Sequence, residues 1–130
     1  MRRITAEEVI EAYGKTGLTP IQEEWFVNFK SGSGPCACGL TAVAMAKGLS
    51  EVSRLKDISL PLRVRRTLDI SFPYMDGFTM GFDGYNIADT DENYEDYDKW
   101  KQYQQGHSDG VVAWGLVNQM MEAKENEDHA

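Results

Sequence analysis

Residues 74–82 read Tyr-Met-Asp-Gly-Phe-Thr-Met-Gly-Phe, and residues 103–111 read Tyr-Gln-Gln-Gly-His-Ser-Asp-Gly-Val. Laid together, they write one pattern twice, Y-x-x-G-x-[ST]-x-G. Tyr74 falls on Tyr103, Gly77 on Gly106, Thr79 on Ser108 and Gly81 on Gly110. In each copy the two glycines are one helical step apart, so on a helix they share a face. Glycine inside a helix costs up to about 1 kcal/mol relative to alanine. Matched glycines therefore need a compensating gain. Close approach of two backbones supplies it, because without Cβ atoms the axes come nearer than the usual spacing and dispersion contacts multiply. The spacing predicts two helices, 73–83 and 96–122, that cross glycine on glycine with local pseudo-symmetry, joined by an acidic hairpin. The competing reading makes the Asp-Gly pairs at 76–77, 83–84 and 109–110 into turns.

The rest of the chain is read outward from that pair. Thr5 caps a first helix with Glu8 three residues on, a capping box; Val9, Ile10 and Tyr13 share its inner face, and Gly14 and Gly17 end it. Thr19-Pro20-Ile21-Gln22 reads as a second helix start. Ile21, Trp25 and Phe29 recur at helical spacing, while the aromatic run Trp25-Phe26-Val27 also suits a strand, so residues 25–29 stay open between the two. Residues 31–35 form a Gly/Ser turn. Leu40 to Lys47 is a small-residue helix stopped by Gly48 and is expected to be the most buried. Leu60, Val64 and Leu68 predict another helix, with an extended alternative over 62–66. The expected fold is mainly α: a small single-domain helical bundle over residues 1–121, two of its helices glycine-faced and crossing closely, with room for one short β element. Residues 122–130 are a charged tail expected to fray.

The chain has 130 residues, a formal net charge of −8 and 42% hydrophobic residues. That is one domain's length with an ordinary core. Its charge is repelled by phosphate backbones, so direct nucleic-acid binding is not expected, whereas a basic protein surface is a match. No apolar run approaches the roughly 18 residues of a membrane span, and the opening residues turn amphipathic at once, unlike a signal peptide. Cys36 and Cys38 as unpaired thiols fit a reducing, cytoplasmic location.

The helix region CACGLTAVAMAKG (36–48), taken with GFTMGFDG (77–84) and GHSDGVVAW (106–114), resembles small bacterial and phage accessory proteins of unassigned function. The resemblance implies an accessory role, such as an inhibitor of host defence, and carries over no catalytic residue.

The strongest compositional signal lies between Asp83 and Trp100. Asp83, Asp89, Asp91, Glu92, Glu95, Asp96 and Asp98 interleave there with Tyr85, Tyr94 and Tyr97, and no Lys or Arg intervenes before Lys99. Aromatic anchors beside steering carboxylates suit a protein interface. The candidate partner-binding residues are therefore Tyr85, Asp89, Asp91, Glu92, Tyr94, Glu95, Asp96, Tyr97 and Trp100. The bland alternative is a solvated loop whose aromatics turn back to the core. Arg54, Lys56, Arg63, Arg65 and Arg66 form an opposite cluster that can neutralise the acids within the chain or across a homodimer.

Other constellations are weaker. Cys36 and Cys38, with His107 and Asp109, could form a metal- or thiol-dependent site, and a helix N-terminus would lower a thiol pKa; a buried cysteine pair is the plainer reading. Tetrahedral zinc wants about four ligands, and beyond His107 only His129 in the tail is of the right type. Asp89-Thr90-Asp91-Glu92-Asn93 opens like a calcium loop, yet Tyr94 stands where glycine makes the turn and Trp100 where glutamate binds bidentate. No phosphate-binding glycine loop is present. No cofactor and no catalytic residue is assigned. The expected function is an acidic, non-catalytic binding protein that docks a basic protein surface. The alternatives are a thiol or metal function at Cys36 and Cys38, and a structural homo-oligomer built on the glycine faces.

Overall fold

The computed structural model describes residues 2–28, 34–50, 52, 59–87 and 95–128. It is mainly helical with a small sheet. The elements run α1 (Ala6–Thr16), β1 (Thr19–Pro20), β2 (Phe26–Asn28), β3 (Pro35–Ala37), α2 (Gly39–Ala46), α3 (Leu60–Leu68), α4 (Phe72–Phe82) and α5 (Tyr97–Asp128).

Local signals fix several boundaries. Thr5 accepts a hydrogen bond from the Glu8 N–H at 3.1 Å, and Gly17 closes α1 in the left-handed conformation with φ 73°. Gly14 lies inside α1 rather than at its end. In α3 the expected stripe Leu60, Val64 and Leu68 is buried, which settles residues 62–66 as helix. Burial of α2 is near complete from Gly39 to Ala44, as its small residues require.

The second helix start is corrected. Thr19–Pro20 and Phe26–Asn28 are strands on either side of β3, in the order β1-β3-β2. Val27 pairs antiparallel and Thr19 parallel with the same residue, Cys36. Pro20 tolerates this because β1 is an edge strand, where a missing N–H interrupts no ladder. Between β1 and β2, Glu23 takes a left-handed backbone with φ 66°, which no helix running on from residue 19 could accommodate. Phe29, the last member of the expected helical spacing, lies outside the described residues. Helical spacing of Ile21 and Trp25 lost to hydrogen bonding with β3: Ile21 N–H donates to the Ala37 carbonyl and Cys38 N–H to the Trp25 carbonyl, both at 3.2 Å.

Helices α4 and α5 cross as closely as backbones allow. A methyl group on Gly77 would overlap the Tyr103 carbonyl and come within 3.0 Å of His107 N. One on Gly106 would overlap the Tyr74 carbonyl and reach 2.9 Å from Phe78 N. Gly81 lies against the His107 carbonyl, and Gly110 against the Phe78 carbonyl. These four contacts are two symmetric pairs, since Tyr74 corresponds to Tyr103 and Phe78 to His107 in the repeated pattern. Each glycine Cα thus faces a carbonyl oxygen across the crossing, the arrangement of a weak Cα–H···O bond. Tyr74, Phe78 and Tyr103 are fully buried around it. The symmetry ends at its last step. Phe82 is buried edge-on against Trp114 with ring centroids 5.3 Å apart, whereas its counterpart Val111 is 48% exposed.

The direction of the crossing corrects the hairpin. Advancing from Gly77 to Gly81 on α4 moves the contact from Tyr103 to His107 on α5, so the two helices run the same way. They are therefore not the two arms of a hairpin.

Helix α5 has 32 residues and is about 48 Å long at the usual rise. Its first half crosses α4. Ala113 and Val117 farther on are buried in the core that α1 shares. It continues as helix past the boundary expected at residue 121, in residues that are exposed from Glu122 to Glu127.

Candidate partner-binding surface

Of the residues nominated from sequence, Asp89, Asp91, Glu92 and Tyr94 lie outside the described residues, as do Arg54, Lys56 and His129. The others flank that gap. Tyr97 is 70% exposed, with the Lys101 ammonium 5.5 Å above its ring, a cation–π contact. Glu95, Asp96 and Asp98 are exposed. Asp96 has a structural task as well: its Oδ1 accepts from the Asp98 and Lys99 N–H groups at 2.9 and 3.3 Å, capping the start of α5. Trp100 is half-buried and stacks on buried Tyr103, centroids 5.6 Å apart. So Tyr97 and Glu95 face water, while Asp96 and Trp100 also hold the helix.

Tyr85, at the other border, is 45% exposed and is tethered. Its hydroxyl donates to Glu23 Oε1 at 2.8 Å, which raises the phenol pKa. Its carbonyl accepts from His107 Nε2 at 2.6 Å, which places the ring proton on that nitrogen. The left-handed turn at Glu23 is clasped to the end of α4. Gln22 Nε2 donates to the Phe82 carbonyl at 2.9 Å, and Glu23 N–H donates to Asp83 Oδ1 at 2.8 Å. Burial pushes the Asp83 pKa up, and the neighbouring Glu23 and Glu24 carboxylates push the same way against the stabilising N–H. Nothing in the linear sequence pairs Glu23 with Asp83 and Tyr85; a turn closing on a distant helix end leaves no spacing signal.

The thiol constellation does not assemble. Cys36 and Cys38 are both buried and free. Cys38 sits at the N-cap of α2, where the helix would lower its pKa, yet burial wins and pushes it up to about 11. Its Sγ contacts Thr41 Oγ1 at 3.3 Å. His107 bonds Tyr85, and Asp109, expected to orient the imidazole, is engaged elsewhere. Among the described residues no group of three or more His, Cys, Asp or Glu side chains is arranged to hold a metal ion.

Asp109 instead joins three segments. The buried Tyr74 hydroxyl donates to its Oδ2 at 2.5 Å and accepts from the Ile4 N–H at 2.7 Å. Arg3 grips both carboxylate oxygens, at 3.1 and 2.7 Å. The N-terminal segment is thereby strapped across the helix crossing, with Arg2 bonded to the Leu68 carbonyl and paired with Glu8. Neither the Arg2–Glu8 nor the Arg3–Asp109 pair draws on the acids between residues 83 and 98.

No family model matches this sequence, and neither a curated protein nor a solved structure is significantly similar to it. Among the described residues, no helix is long and apolar enough to cross a membrane.

Proposed function

We propose that this chain is a non-catalytic binding protein that docks a basic protein surface through the segment from Tyr85 to Trp100. The observation that carries the reading is Tyr97. A large aromatic ring is 70% exposed beside exposed Glu95, Asp96 and Asp98, in a chain of net charge −8. Exposed aromatics supply anchor area and carboxylates steer a cationic partner. The resemblance to phage-type accessory proteins suggests a concrete form: an inhibitor that covers the basic nucleic-acid site of a host defence protein. The glycine faces are occupied within the chain, so a homo-oligomer would have to use other surfaces. Deep burial of Cys38 and its raised pKa disfavour a thiolate function.

The test is capture of the partner from the native host, followed by binding measurements on variants. Replacing Asp91, Glu92 and Glu95 with lysine, and Tyr97 with alanine, should abolish binding while the circular dichroism and melting temperature stay unchanged. Retained affinity in both variants would sink the proposal. Asp96 is left intact in this test, because losing its cap costs about 1 kcal/mol of stability and would confuse the readout.

A further inference from the structure

Helix α5 turns a continuous stripe outward, away from α4 and the core. Lys101, Gln104, Ser108, Val111, Val112, Gly115, Gln119 and Glu122 are all exposed. They follow one another at steps of three and four residues, with the two valines adjacent at the centre, so they share one helix face. Val111 and Val112 are 48% and 58% exposed, a small apolar centre on a polar face. The glycines at 77, 81, 106 and 110 each lie against a backbone carbonyl, whereas among the described residues nothing lies within 4 Å of a methyl group placed on Gly115. Glycine lowers helix stability, and within the chain no contact offsets that at Gly115. Gly14 is as open, but it lies in the last turn of α1.

The stripe is its own complement. Where two copies meet about a two-fold axis, a residue i that touches j requires j to touch i. Run antiparallel about the midpoint between Val111 and Val112, the stripe meets that condition at every step. It pairs Val111 with Val112, Ser108 with Gly115, Gln104 with Gln119 and Lys101 with Glu122 across the two copies. The valines cover one another, and the missing Cβ at Gly115 lets the backbones approach opposite a small serine. Each glutamine amide offers both donor and acceptor to the other. The ends carry opposite charges, whereas a parallel pairing would set Lys101 on Lys101 and Glu122 on Glu122. Among the described residues neither Lys101 nor Glu122 forms an ion pair within the chain. The stripe is neutral, so the net charge of −8 lies off it. Repulsion between those outlying charges is screened beyond about 8 Å at physiological ionic strength.

We propose that α5 packs antiparallel against α5 of a second copy through this stripe, forming a two-fold dimer. The contact from Lys101 to Glu122 is about 30 Å long and one helix wide, which makes the dimer weak and concentration-dependent. It does not rest on the reading of the Tyr85–Trp100 segment. In the dimer the two copies of that segment fall at opposite ends of the helix pair, about 35 Å apart along the axis when reckoned between the Trp100 positions. A partner with two basic sites at that spacing would be held by both, and avidity would rise without any new contact chemistry.

The test is sedimentation velocity of the full chain at physiological ionic strength, from about 1 μM to about 1 mM. The parent should shift from monomer to dimer within that range. Val112→Glu sets like charges together at the centre and should weaken association by about tenfold or more. Glu122→Lys should weaken it by about fivefold, although it moves the net charge from −8 to −6 and so reduces the overall repulsion. Lys101→Glu should weaken it as well, and the double variant Lys101→Glu/Glu122→Lys should restore the parent affinity, because the pairs re-form with their signs exchanged. Glu127→Lys makes the same charge change on another face of α5 and should not weaken the dimer. All these positions are exposed, so the variants should keep the fold, verified by circular dichroism and thermal melting. The inference is overturned by any of four results. They are a parent that stays monomeric throughout, Val112→Glu or Glu122→Lys associating like the parent, a double variant as weak as its single variants, and Glu127→Lys weakening association as much as Glu122→Lys.

Discussion

The two halves of α5 are held in opposite ways. Its first half meets α4 through bare backbone, glycine against carbonyl, with no side chain between the axes at Gly77, Gly81, Gly106 and Gly110. Its second half meets the rest of the core through side chains, with Ala113 and Val117 buried and a groove left open beside Ile10 and Met121. Backbone contact is close but unforgiving, since it has no rotamers with which to adjust. Side-chain contact is adaptable, and its imperfect filling leaves a concavity. One helix thus carries a rigid joint at one end and an open groove at the other.

Glycine-to-alanine substitution is the sharpest way to break this contrast, because its sign should reverse between sites. Gly77→Ala or Gly106→Ala places a methyl group onto a backbone carbonyl, so the helices must separate. A loss of about 3 kcal/mol or more in urea unfolding is expected, at the upper end for overpacking. Gly14→Ala and Gly115→Ala add a methyl within a helix where nothing lies within 4 Å, and should gain up to about 1 kcal/mol. Losses of similar size at all four sites would show that the crossing is not special.

Tyr74→Phe tests the strap that secures the rigid end. It removes the hydroxyl that bridges the Ile4 N–H and Asp109. Leaving buried groups without that partner should cost about 1–3 kcal/mol. An unchanged stability would mean that Arg3 alone satisfies Asp109.

Alkaline titration sharpens the core side of the comparison. An unperturbed cysteine thiol titrates at 9.0, whereas folding pushes Cys38 up to about 11. Between those values the unfolded chain has lost a proton that the folded chain keeps, so unfolding releases protons and stability falls as pH rises. Buried Tyr13 and Tyr74, whose pKa values are also raised chiefly by desolvation, push the same way from about pH 10. Thermal melting from about pH 8 to 10.5 should show this decline, and Cys38→Ala should flatten its onset near about pH 9. Rapid alkylation of native Cys38 at about pH 8, where an exposed thiol is already reactive, would contradict the burial that underlies it.

What could be read along the chain was whatever depends on neighbours a few residues away. The Thr5–Glu8 capping box, the Leu60–Val64–Leu68 stripe and the glycine pairs on α4 and α5 are all set by helical periodicity, and all are visible in order. The acidic, aromatic composition of the candidate surface was legible for the same reason. Only the folded chain decided that Thr19–Pro20 and Phe26–Asn28 are strands, because their hydrogen-bond partners belong to β3. Only it decided that α4 and α5 run parallel, since repeated glycine faces pair equally well in either direction until the rest of the core fixes one. It also assigned Asp109 to Tyr74 rather than to His107, and it assembled the groove from α1, β1 and α5. Local periodicity is a property of the sequence, but a partner across the core is chosen by burial and hydrogen bonding among segments that share no spacing.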